Sequence, residues 1–86
     1  MEQINYNLLR NLDEKYGSPF YIMDSDKYRF NLNSFLNAFR KRYEKVIAGY
    51  SFKTNYVPAL CKIALDEGCF AEVVSEMEYE LARKIY

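Results

Sequence analysis

The segment "YSFKTN", residues 50–55, places a lysine where an apolar run ends, and a lysine amine in such a place can attack a carbonyl carbon. Only the neutral amine is the nucleophile, and desolvation is what lowers its pKa. Val46 to Phe52 is an unbroken stretch of apolar or small residues, the pattern of a strand covered on both faces in a parallel sheet. Side chains alternate along a strand, so Ile47, Gly49, Ser51 and Lys53 share one face. Val46, Ala48, Tyr50 and Phe52 share the other, whose bulk suits packing under helices. Gly49 and Ser51 leave room beside the lysine. A second short run, "CFAEVVS", puts Phe70, Glu72 and Val74 on one face, and Glu72 interrupts it. A carboxylate in a strand buried on both sides is costly unless paired, which makes Lys53 its expected partner. The residues alone leave three readings open. Lys53 is a side chain climbing into solvent, or half of a structural ion pair, or an amine that condenses with a carbonyl compound while the carboxylate relays its proton.

Other chemistries are poorly supplied. The 86 residues contain no histidine, which removes Cys/His zinc sites and Ser-His or Cys-His dyads from within the chain, so no metal is expected. Two cysteines, Cys61 and Cys69, do not make a disulfide framework, and reduced thiols fit a cytoplasmic protein. Twelve basic residues balance twelve acidic ones, so no net field attracts nucleic acid or an anionic membrane surface. Charged residues from Glu2 to Lys15 interrupt any signal-peptide core, and no apolar stretch nears the roughly 20 residues needed to span a bilayer.

The elements that position Lys53 follow from periodicity. Residues 1–17 read as a leading helix, with Ile4, Leu8, Leu12 and Tyr16 on one stripe, Leu9 beside it and Gly17 as the stop. Residues 18–45 read as a strand plus a helix. "SPFYIMD" is the strand, Asp24, Ser25 or Asp26 is the cap, and Tyr28, Leu32, Phe35, Leu36, Phe39 and Tyr43 form the buried stripe. Arg40, Lys41, Arg42 and Lys45 crowd the end of that helix, where cations complement its dipole. Residues 46–86 read as two β/α units. Pro58 opens the helix after Lys53, Val57, Leu60, Cys61, Ala64 and Leu65 bury its face, and Gly68 ends it. Ser75 and Glu78 have the spacing of a capping box for the last helix. Strand, helix, strand, helix with short joints argues for an α/β fold with parallel strands. Chemistry in such folds gathers at the carboxyl ends of the strands, where Lys53 stands.

From about Gly17 to Tyr86 the sequence resembles the N-terminal part of the fold-type III pyridoxal-phosphate decarboxylases, the diaminopimelate/ornithine/arginine decarboxylase family. "SPFYIMD" is similar to that family's "TPxYVYD"-like strand, and "YSFKTN" matches its "YAxKAN"-like motif at Tyr50, Lys53 and Asn55. "FAEVVSEME" resembles the "GxDVVSxGE"-like joint, and its "VVS" leans toward the diaminopimelate branch. The resemblance implies the N-terminal portion of a (β/α)8 barrel of the alanine-racemase type, incomplete in this chain. It implies pyridoxal 5'-phosphate as cofactor, an amino acid as substrate, and Lys53 as the Schiff-base lysine. Glu72 falls where the family has an aspartate near the cofactor, and the longer side chain leaves its role open. Glu78 aligns with a glutamate beside the site, and a capping box explains it equally well. Asn55 shapes the loop through side-chain to backbone hydrogen bonds, Ser51 lies next to the lysine, and Tyr50 is packing.

The family's phosphate loop, ring-stacking histidine and C-terminal β-domain, which completes a homodimer, are expected after Tyr86. The 86-residue chain alone is therefore expected to be inactive. Two alternatives stand beside this reading. One is a racemase or cofactor-carrier protein of the same barrel type. The other is a non-catalytic, self-associating α/β module in which Lys53 merely ends a strand.

Overall fold

Helix signals in the sequence are met by local hydrogen bonds. A computed structural model describes residues 3–86. Helix α1 (Tyr6–Tyr16) starts where Asn5 accepts a hydrogen bond from the Leu8 amide at 2.9 Å. It stops at Gly17, whose φ of 80° is easy only for glycine and whose N–H reaches the Asp13 carbonyl. Helix α2 (Ser25–Arg40) is capped by Asp24, which accepts from the Lys27 amide at 3.0 Å. Strand β1 (Gly49–Ser51) leads through a turn to helix α3 (Pro58–Asp66), with proline in its first turn. Gly68, at φ 93°, lets the chain double back into strand β2 (Phe70–Glu72), and Ser75 caps helix α4 (Glu76–Ile85).

The two strands pair in parallel, with Gly49 beside Phe70, Tyr50 beside Ala71 and Ser51 beside Glu72. The described residues are thus α/β, with one small parallel sheet. The Ala48 carbonyl and the Phe52 amide extend the ladder at both ends. Helices lie on one face only. Leu36 of α2, Ala64 of α3 and Cys69 form a buried cluster, against which Leu32, Ala48 and Tyr50 pack. Phe52, Leu60, Cys61 and Ile63 complete the core.

Four expectations need correction. "SPFYIMD" forms no strand, because among the described residues it has no partner with which to share a ladder, and Tyr21 is fully solvated. The strand expected over Val46–Phe52 shortens to Gly49–Ser51, and it is covered on one face rather than two: Ile47 is 67% exposed. The stripe of α2 is buried only at Leu36. Phe35 and Phe39 remain exposed, and Tyr43 lies exposed beyond the helix end, because among the described residues no element covers that side of α2. In α1 nothing is buried, and Leu8 and Leu12 are half-buried. Consistent with this thin packing, the accessible surface is 7105 Å². A compact monomer of this mass has about 5400 Å².

One connection had no local signal. Arg29 of α2 donates to Glu67 Oε1 at 2.6 Å, and Asn33 donates to Glu67 Oε2 at 3.0 Å. This fastens α2 to the end of α3 across 38 positions of sequence. The Arg29 hydrogen bond, followed by that from Asn33, holds the Glu67 carboxyl below its ordinary value. A lowered folded-state pKa gives stability that is present above the unfolded value and lost as pH falls through the folded one. Wild-type protein will therefore be more stable than Glu67→Gln at neutral pH, and the gap will close as acid protonates Glu67. Denaturant titrations of both proteins across the acid range check this.

Candidate functional site at the carboxyl edge of the sheet

Because β1 and β2 run in parallel, their carboxyl ends lie at one edge, and the joints to α3 and α4 leave from it. Lys53 sits in the turn just past β1, and Glu72 is the last residue of β2. Both are exposed. The ion pairs among the described residues are Arg10–Glu14, Arg29–Glu67, Lys62–Asp66 and Arg83–Glu80. Lys53 and Glu72 take part in none. The expected Lys53–Glu72 pair and the shielding of Lys53 are thus corrected, and the reason is the open face of the sheet. Where both charges keep their water, a pair gains little and holding two long side chains together costs entropy.

The backbone around the lysine is firmly tied. Asn55 Oδ1 accepts from the Val57 amide at 3.1 Å, which is the loop-shaping role anticipated for it. The Asn55 carbonyl accepts from the Tyr50 hydroxyl at 2.8 Å and lies 3.7 Å from Cys61 Sγ. Tyr50 also packs edge-on against Tyr28 and Phe52, so it does more than fill space. Burial pushes the Tyr28, Tyr50 and Cys61 side chains above their ordinary pKa values. These groups therefore stay neutral, and the Tyr50 hydroxyl and Cys61 thiol act as donors. Ser51 is half-buried on β1, beside Glu72. A methyl group added at Gly49 would touch the Glu72 Cβ at an ordinary 3.7 Å.

Glu78 is the buried carboxylate of this edge, only 5% exposed. The capping box forms in part. The Glu78 amide donates to Ser75 Oγ at 3.2 Å, and the Ser75 hydroxyl donates to Glu78 Oε2 at 2.7 Å. Oε1 is buried without a partner. A buried acceptor left unmade is costly, so the cap alone does not account for this side chain. Sequence spacing located Glu78, but its burial depends on tertiary packing. Among the described residues, no group of three or more potential ligands could hold a metal ion, and no helix is long and apolar enough to cross a membrane.

Over 76 residues the chain is 33% identical to a diaminopimelate decarboxylase of Methanocaldococcus jannaschii, a match covering 84% of this chain and 17% of that enzyme. Over 78 residues it is 33% identical to a diaminopimelate decarboxylase of Aquifex aeolicus, covering 88% of this chain and 17% of that enzyme. The chain is diaminopimelate decarboxylase-like in sequence. A continuous match of that extent takes in Lys53 whichever end it omits. The chain thus spans 17% of the length of these curated relatives. No family profile matches it, and neither does any solved structure.

Among these residues Lys53 carries the amine that can condense with an aldehyde. An accessible amine stands on a tied loop at the carboxyl edge, small residues lie below it, and Glu78 at the same edge carries an acceptor without a donor. Removing the Ser75 hydroxyl strips Glu78 of its remaining side-chain partner. Ser75→Ala will lower unfolding stability by about 1–2 kcal/mol, read from denaturant midpoints.

Proposed function

We propose that this chain is the cofactor-lysine segment of a pyridoxal 5'-phosphate-dependent amino-acid decarboxylase with diaminopimelate as the substrate class. Its two β/α units are the N-terminal portion of a (β/α)8 barrel. The observation that carries this reading is Lys53 on the carboxyl edge of a parallel strand, inside a stretch similar to two diaminopimelate decarboxylases. Lys53 Nζ is the group that would hold the cofactor, through its aldehyde carbon. The bound cofactor supplies an electron sink for the pair left when carbon dioxide departs. Gly49 and Ser51 keep the approach to the amine clear. Glu72, exposed at the end of β2, stands at the same edge as an acceptor for a donor on the cofactor.

The rest of the reaction needs groups beyond this chain. A whole barrel takes about 250 residues, and the family's second domain completes the site across a homodimer. The 86-residue chain alone will show no amino-acid decarboxylation in a carbon-dioxide release assay, and measurable turnover would refute that statement. Pyridoxal phosphate, followed by borohydride, will place its label preferentially on Lys53 in a peptide map, and Lys53→Arg will lose that preference. A label spread evenly over the lysines would sink the proposal.

A further inference from the structure

The loop that carries Lys53 is held from below by a residue whose packing does not require its hydroxyl. Lys53, Thr54, Asn55 and Tyr56 are all exposed, so the loop has little burial of its own to fix it. Tyr50 projects to the covered side of β1 and joins the cluster of Leu36, Ala64 and Cys69. Its ring meets Tyr28 and Phe52 edge-on, with centroids 6.3 and 5.9 Å away. A phenylalanine would make the same contacts. The hydroxyl adds the 2.8 Å hydrogen bond to the Asn55 carbonyl, which closes a ring of chain around Lys53. The Asn55 amide adds a long bond of 3.5 Å back to the Ser51 carbonyl, and the Asn55 side chain fixes the exit toward α3.

We infer that Tyr50 is a positioning residue for Lys53: its hydroxyl fixes the turn from which the amine meets an aldehyde. The inference rests on the cofactor role of Lys53 proposed above. Lys53 Nζ bonds to the aldehyde carbon, the carbonyl oxygen leaves as water, and a C=N bond results. Orienting the amine beforehand removes part of the entropic cost of that encounter. Lysines on the helices stand on backbone that the Tyr50 hydroxyl does not touch, and they provide an internal standard.

The test compares wild type and Tyr50→Phe after incubation with pyridoxal phosphate and reduction with borohydride, whose hydride adds to the imine carbon. Peptide mapping gives the ratio of label on Lys53 to label on Lys84, an exposed lysine of α4. The expected result is a preference for Lys53 in wild type that drops about fivefold in Tyr50→Phe, the factor one neutral hydrogen bond supplies. Labelling of Lys84 stays the same. Should Tyr50→Phe fail to fold, Asn55→Ala, at an exposed position, loosens the loop from its other end and lowers the same ratio. An unchanged ratio in a folded Tyr50→Phe, or in Asn55→Ala where that variant must substitute, overturns the inference and leaves the role of Lys53 intact. A wild-type ratio without preference instead overturns the reading on which the inference rests.

Discussion

A two-stranded parallel sheet with one layer of helices has a dry side and a wet side, and strand alternation assigns every residue of β1 to one of them. Ala48, Tyr50 and Phe52 go inward, where Phe52 is completely buried. Ile47 and Gly49 go outward. A one-residue slip in register would exchange the two sets and turn Tyr50 and Phe52 out into water. The parallel direction then brings the carboxyl ends of β1 and β2 to one edge, and Lys53, Glu72 and the start of α4 follow from that.

The electrostatics of this edge are uneven. Its exposed charges are Lys53 and Glu72, whereas Glu78 is carried into the protein and only half satisfied. In a covered sheet the first two would need each other; in this one they do not. The tension at the edge is therefore stored at Glu78 rather than at the lysine. Glu67 shows the opposite solution, since two donors on α2 meet its two carboxylate oxygens.

Features set by neighbours in sequence were legible before any coordinates. Ser75 is recognisable as a cap and Asp24 as one of three candidates with Ser25 and Asp26, Pro58 as a helix start, Gly17 and Gly68 as stops, and Asn55 as a loop-shaping residue, because each acts over a few positions. The covered face of β1 was legible through alternation. What escaped depends on distant partners. "SPFYIMD" has the composition of a strand, but a strand requires a neighbour. Phe35 and Phe39 have the spacing of a core stripe, but a core requires an opposing surface, and here they face a cavity of about 470 Å³ shared with Tyr43 and Ile47. The Arg29–Glu67 latch joins two residues that no periodicity relates.

The wet side of the sheet also shapes how the protein responds to heat and denaturant. Ile47, Phe70 and Val74 are each at least 60% exposed while the chain is folded, so melting adds little to their hydration. The heat-capacity increment of unfolding scales with newly wetted apolar area, as does the slope of stability against urea. Both quantities should lie below the norm for a chain of this size, giving a shallow, broad stability curve that changes slowly with temperature.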